Sequence, residues 1–271
     1  MSTCTMLQVR YVILWPSTTS MWNTVSSRKS SEPAEPCGAL VNGDCYYGDP
    51  DLRGALEFHE RNGSLGTMVL IDMPPGESYR GVEIAGGGRL VRVAGSPGSS
   101  AGGSRTLHFT GIHILEPEFV AGIGPGFSDI NSRHYPRLIE AGSPVFGYHT
   151  SFRWFDLGTP LWFLSAAAEL IQESAADGSP GRALIAGAGC DLDSSSVLNG
   201  PLELGAGCRI GANAVVANSV LGKGVAVGPD ARVTDSLLGD GFRVEAGKRL
   251  DGVVAAVVEQ RPVISSWKEP S

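Results

Sequence analysis

Several things are scarce in this 271-residue chain, and each scarcity removes a class of protein. Basic charge is one: 21 Lys and Arg stand against 28 Asp and Glu, a net charge of −7. A surface of that balance does not attract polyanions, which argues against broad binding to nucleic acid or to an anionic membrane. Long apolar runs are absent too, and none approaches the roughly 18 residues of a bilayer-spanning helix. Arg10 interrupts the one apolar stretch near the start, which argues against a signal peptide. Cysteine is sparse, at positions 4, 37, 45, 190 and 208, without any CxxC pair. A zinc ribbon or thioredoxin-type site is therefore not expected, and reduced thiols in a cytoplasmic protein are the plain reading. Glycine, in contrast, reaches 37 of 271 residues, a sign of many tight turns.

Residues 1–36 form an atypical leader. Leu7 to Trp15 has the composition of one strand ended by Pro16, but the Ser- and Pro-rich run after it has no periodicity, and the segment is expected to be poorly ordered. From Ala39 the pattern sharpens. Ala39-Leu40-Val41 is a short strand that stops at Asn42-Gly43-Asp44. Asp51 to Asn62 reads as a helix with Leu52, Ala55, Leu56 and His59 on one face. Strands are expected at 67–71, 107–115 and 144–148, a hairpin at 82–84 with 90–93, and helices at 132–141 and 160–173. A Gly/Ser loop covers 95–104. This alternation implies an α/β layered domain over 37–176.

After the linker Asp177 to Gly181 the grammar changes. Aliphatic residues recur as Leu204, Ile210, Val216, then Leu221, Val227, Val233, then Leu238, Val244, Leu250. The steps are six, six and five, repeated, which neither a helix nor an alternating strand produces. A triangular coil does: each side contributes one inward aliphatic, and small residues turn the corners. A short left-handed parallel β-helix of hexapeptide repeats is expected over 182–255, with a tail at 256–271. Cys190 and Cys208, in matching Gly-Ala-Gly-Cys corners, would stack one coil apart as packed thiols. Flat sides and exposed ends on such a coil favour a homo-oligomer.

Two segments place a carboxylate where α/β folds bind ligands. Asp44 ends a buried strand in Leu-Val-Asn-Gly-Asp, at a sheet's carboxyl edge. Asp156, in Trp-Phe-Asp-Leu-Gly-Thr-Pro, precedes a helix for which Thr159 and Pro160 supply the cap and first turn. Two such carboxylates can share one Mg²⁺ and leave positions for water and phosphate oxygens.

Together with Phe109 to Leu115 (FTGIHIL) and Tyr135 to Ile139 (YPRLI), these segments, in this order, resemble the sugar-phosphate nucleotidyltransferases, or NDP-sugar pyrophosphorylases. The similarity leans toward the mannose-1-phosphate guanylyltransferase-like branch and covers roughly residues 38–255, coil included. The resemblance implies a Rossmann-like domain that transfers a nucleoside monophosphate from a nucleoside triphosphate to a sugar 1-phosphate and releases pyrophosphate. It implies that Asp44 and Asp156 are the catalytic, metal-holding pair. It further implies that Asn42, Gly43, Gly81, Thr110 and Gly111 line the substrate. His113 reads better as a packed strand histidine.

The chain also departs from that family. No Gly-rich phosphate loop of the type GxGxRLxPxT precedes Asp44, so the domain is expected to be N-terminally incomplete. The Glu-Lys-Pro that meets the sugar phosphate is missing as well, and Arg89, Arg92 or Arg105 is left as a substitute. The alternative is therefore a catalytically incomplete relative, or a non-catalytic partner subunit that binds sugar phosphate and assembles through its β-helix. A third reading, a hexapeptide acyltransferase with a coil histidine as general base, fails because all five histidines lie at or before position 149.

Overall fold

The computed structural model describes residues 11–14, 37–75, 79–93, 103–123, 129–174 and 183–268. Most of the leader, most of the Gly/Ser loop and the linker at 177–181 lie outside the described residues. The chain divides into two compact units between Trp154 and Phe155.

The first unit is built on a mixed sheet. In chain order its elements are β1 (Tyr11–Leu14), β2 (Gly38–Asn42), β3 (Cys45–Tyr47), α1 (Leu52–Arg61), β4 (Gly66–Ile71), β5 (Val82–Ile84), β6 (Leu90–Arg92), β7 (Arg105–Leu115), α2 (Pro117–Ala121), α3 (Tyr135–Glu140) and β8 (Val145–His149). The sheet runs β1-β2-β7-β4-β8, and β5 and β6 form a hairpin on β7. In this sheet, among the described residues, β4 and β8 are parallel, and β1–β2, β2–β7, β4–β7, β5–β6 and β5–β7 are antiparallel. The strand-like part of the leader thus pairs with β2.

Both faces of this sheet are covered. Asp51 caps α1 by accepting the Gly54 N–H at 2.9 Å, and the helix buries Ala55, Leu56 and His59. That stripe belongs to one core with Val69, Ile112 and Ile114. Met68, Leu70, Leu107 and Leu115 join Phe119 of α2 and Tyr135 of α3 in a second core. This is the layered α/β arrangement expected. The helix expected at 132–141 starts earlier, because a wide π-type turn over Ile130–His134 precedes α3.

The second unit is a β-helix carrying one helix. Helix α4 (Pro160–Ser174) buries Ala166 and Ile171 and packs on the strands Leu184–Ala186, Val197–Leu204 and Val215–Leu221. It therefore belongs to the coil's unit, so the compact units part some twenty residues before the boundary expected at 176. The parallel pairing stacks equivalent residues into ladders. Ala186, Leu204, Leu221, Leu238 and Ala255 form one, and Leu192, Ile210, Val227 and Val244 another. Leu198, Val216, Val233 and Leu250 form the third. All nine aliphatics of the six-six-five stride are buried, so that stride is the coil's core.

The five-residue step has its own chemistry. Asn218, Asp235 and Gly252 turn that corner with φ of 46°, 46° and 60°. Inside it Ser219 Oγ donates to Ala217 O at 2.6 Å and accepts the Ser236 N–H at 3.1 Å. Ser236 Oγ repeats the pattern one coil on, with Thr234 O at 2.6 Å and the Val253 N–H at 3.2 Å. A buried serine ladder thus satisfies backbone groups that the shortened corner leaves unpaired. Cys190 and Cys208 are free thiols, and their Sγ atoms donate to Gly205 O and Gly222 O at 3.3 and 3.1 Å.

The segment expected to be a tail is structured. Val253–Val258 continues the parallel stack, and Arg261–Ser266 returns antiparallel to it. Glu259 and Gln260, both at positive φ, make the two-residue turn that a tight hairpin requires. Lys268 Nζ then reaches Asp235 and Asp251, each at 2.8 Å. No helix among the described residues is long and apolar enough to cross a membrane.

Candidate functional site

The site is assembled around an irregularity in β7. Met68 faces His113 and Leu70 faces Phe109, so β7 uses four residues where β4 uses two. This bulge falls on Thr110-Gly111, and side chains donate to two carbonyls beside it. Thr110 Oγ1 donates to Val69 O at 2.9 Å, and Trp154 Nε1 donates to Thr110 O at 2.8 Å. Gly111 has a φ of 91°, and a Cβ on it would lie 2.8 Å from Asn42 Cβ and Cγ. Only glycine allows Asn42, at the end of β2, to sit this close.

The structure therefore brings together Asn42, Thr110 and Gly111, three of the substrate-lining residues suggested by resemblance. Gly43 and Asp44 follow Asn42 in the exposed turn between β2 and β3. Asp44 Oδ1 accepts the Cys45 thiol at 3.8 Å. Tyr47 closes the turn by donating to Asn42 O at 3.3 Å, and its phenol is pushed well up by burial and then by neighbouring Cys45 and Asp44. Gly81, before β5, is another close approach: a Cβ there would lie within 2.2 Å of the Thr106 methyl of β7.

Asp156 belongs to the second unit, two residues beyond the Trp154 that ends the first. Its Oδ1 accepts the Gly158 N–H at 2.7 Å, which fixes the carboxylate in the loop before α4. Thr159 Oγ1 accepts the Trp162 N–H at 3.2 Å and Pro160 opens the helix, the cap and first turn expected.

Among the three arginines considered for a phosphate, Arg89 donates to Gly142 O at 2.7 Å and lies over the Phe146 ring, and Arg92 is paired with Glu83. Arg105 pairs with Asp72 at 2.6 Å and adjoins His149 Nδ1 at 3.3 Å, and its side chain is 56% exposed. Arg105 is thus the one with most of its head group open to a ligand. His113 is buried and bonded to Tyr135 Oη at 3.0 Å, and burial lowers its pKa to about 3. It is a core residue, as its sequence context suggested.

One feature escaped the sequence reading. Tyr79, His108 and Trp154 form an aromatic cluster, with ring centroids 4.5 Å (Tyr79–His108), 4.4 Å (His108–Trp154) and 6.0 Å (Tyr79–Trp154) apart. The three residues are distant in sequence, so no spacing announces them. His108 is buried, which lowers its pKa to about 4 and leaves the ring neutral at physiological pH.

Among the described residues no three His, Cys, Asp or Glu side chains gather into a ready metal site. A Mg²⁺ bound through one or two carboxylates, with water and phosphate oxygens completing its shell, does not require such a group. Asp44 and Asp156, one in each unit, each offer the oxygen donors that such an ion takes.

No protein-family profile matches the chain. Over 113 residues it is 28% identical to a UTP–glucose-1-phosphate uridylyltransferase of Synechocystis sp.. The aligned part is 41% of this chain and 29% of that protein, so the chain spans under a third of this relative's length. That protein is a sugar-phosphate nucleotidyltransferase, the family that the motifs resemble.

Proposed function

We propose that this chain works in the sugar-1-phosphate nucleotidyltransferase reaction, in which a nucleoside monophosphate passes from a nucleoside triphosphate to a sugar 1-phosphate and pyrophosphate leaves. One observation carries the reading: Asn42, at the end of β2, lies against the Thr110-Gly111 bulge, and the Thr110 carbonyl holds the Trp154 indole. The similarity to a uridylyltransferase supports it. In this reading Asp44 and Asp156 hold one Mg²⁺, which when bound offsets the charge of the phosphates. Asn42, Gly43, Gly81, Thr110 and Gly111 shape the sugar side, and their fixed backbone orients the attacking phosphate oxygen in advance. Arg105, the most exposed of the three arginines, stands in this reading for the missing lysine. A pyrophosphate-release assay with glucose 1-phosphate or mannose 1-phosphate and each nucleoside triphosphate tests the reading. Turnover that needs Mg²⁺ supports it, and no turnover with any pair refutes it.

A second reading keeps the sugar site and drops catalysis. Its motivation is that β1, the strand on the edge of β2, runs antiparallel to β2 and is followed by Trp15-Pro16-Ser17 instead of glycines. Such a chain would be a partner subunit that binds sugar phosphate and assembles through its coil. Tight, Mg²⁺-dependent binding of a nucleoside triphosphate, measured by calorimetry, would exclude it. Self-association belongs to both readings. Apolar Leu184, Ile185 and Val197 on the first coil and, at the other end of the stack, Val257, Val258, Val263 and Ile264 on the final hairpin are exposed, two end surfaces suited to a second copy. A monomeric mass in light scattering at micromolar concentration would contradict it.

A further inference from the structure

Four histidines of the first unit are buried, and three of them are bonded. His59 meets Thr67 Oγ1 at 2.9 Å and Glu116 at 3.2 Å, His113 meets Tyr135 Oη, and His134 meets Phe119 O at 3.1 Å. His108 is the exception: its residue is 6% exposed, and neither Nδ1 nor Nε2 has a hydrogen-bond partner among the described residues. A buried imidazole without partners loses its hydration and gains nothing in return. Phenylalanine would fill the same space between Tyr79 and Trp154 without that cost. Packing therefore does not account for a histidine here.

Its surroundings indicate what the ring awaits. His108 lies on β7 between Thr106 and Thr110, and residues two apart on a strand share a face. The Thr106 methyl abuts Gly81, and the Thr110 carbonyl holds the Trp154 indole. Gly81 and Thr110 are residues that the reading above assigns to the sugar. Tyr79 and Trp154, both half-buried, present the flat apolar rings beside it.

We propose that the His108 imidazole is the specificity-determining contact for the sugar, taking one hydroxyl of a pyranose 1-phosphate as its missing partner while the ring of the sugar lies against Tyr79 or Trp154. This rests on the nucleotidyltransferase reading and deepens it by assigning the residue that recognises the monosaccharide. A neutral imidazole carries one donor and one acceptor, which matches a hydroxyl group that is both. Entry of the sugar would require the half-buried Tyr79 wall to turn aside. A site that leaves its own polar group unpaired until the correct hydroxyl arrives discriminates strongly against a sugar lacking it.

The test uses the full chain. Glucose 1-phosphate, mannose 1-phosphate and their deoxy analogues are titrated by calorimetry into the wild type and His108→Phe, with MgUTP and MgGTP in parallel. The expected result is affinity for the preferred hexose 1-phosphate at least tenfold weaker in His108→Phe. Nucleotide affinity stays unchanged, and the melting temperature is equal to or higher than the wild type's. One deoxy analogue should lose affinity for the wild type and not for the variant. Labelled-histidine NMR on the wild type gives a readout that does not depend on the variant's folding: the His108 ring resonances should move on saturation with the sugar phosphate. Equal affinity in both proteins, or unmoved His108 resonances, would overturn the proposal and leave the nucleotidyltransferase reading standing. A wild type that binds nucleotide and no hexose 1-phosphate would overturn the sugar contact. One that binds neither would overturn the reading beneath it, and this proposal with it.

Discussion

Replacing Gly111 by Ala tests whether the bulge in β7 is the keystone of the site. The substitution carries two penalties that can be separated. The first is conformational: at a φ of 91° an L-residue costs about 1–2 kcal/mol. The second is steric. The new methyl would lie 2.8 Å from Asn42 Cβ and Cγ and 2.9 Å from Nδ2, against a strand end that has little room to withdraw. Overpacking of this kind costs about 1–3 kcal/mol, for a total of about 2–5 kcal/mol. Gly142→Ala is the control: it also has positive φ, at 70°, but nothing lies within 4 Å of its Cβ position. It should lose only about 1–2 kcal/mol, the conformational part. The assay is urea unfolding followed by tryptophan fluorescence, to which Trp154, bonded to Thr110 O, contributes. With a slope of about 2 kcal/mol per molar urea, a loss of about 3 kcal/mol lowers the midpoint by about 1.5 M. If Gly111→Ala unfolds at the same urea concentration as Gly142→Ala, the close approach of Asn42 to the bulge is wrong.

Other outcomes follow from single contacts. Ser236→Ala strands the Val253 N–H inside the coil and should cost about 1–3 kcal/mol, read as a lower urea midpoint. Asp51→Ala removes the cap of α1 and should cost about 1 kcal/mol. The Asp51 carboxyl is held below its usual range by the Tyr148 hydroxyl, 2.6 Å away, and by the Gly54 N–H. Its contribution is complete above the ordinary carboxylate range and is lost as pH falls through the lowered value, so acid should narrow the gap between wild type and Asp51→Ala. Burial holds His108 near 4 and His113 near 3, against 6.5 for an unburied ring. The unfolded chain therefore takes up protons first, and stability should decline as pH drops from about 6.5 toward those values. His108→Phe should flatten that decline between about pH 6.5 and 4, and an unchanged slope would contradict the burial of this ring.

The coil was the most legible part of the chain, because its core is a ladder and a ladder imposes its period on the sequence. Leu204, Ile210 and Val216 announce the same three sides that Leu238, Val244 and Leu250 occupy two coils later. The period fades after Leu250, since the last element is an antiparallel hairpin whose residues from Val257 to Ser266 are all exposed, and Val257 to Ile264 therefore looked like a tail. The strand-end turn at Asn42 in the first unit and the cap at Thr159 in the second were readable because turns and caps are local chemistry. Tyr79, His108 and Trp154 were not, because β7, the loop before β5 and the segment after β8 bring them together only in three dimensions. The arginines show the same limit. Arg89, Arg92 and Arg105 look alike in sequence, and only their partners Gly142, Glu83 and Asp72 distinguish them.

Under the proposed function Asp44 and Asp156 act on one divalent cation. Mn²⁺ is spectroscopically visible and takes the oxygen ligands that Mg²⁺ takes. Electron paramagnetic resonance titration of Mn²⁺ with a nucleoside triphosphate, into the wild type, Asp44→Asn and Asp156→Asn, tests that claim most directly. One protein-held ion is expected in the wild type, and its loss in either variant, with folding retained. Full Mn²⁺ binding in one variant and none in the other would show that the two carboxylates do not share a site, and the proposed function would fall with them.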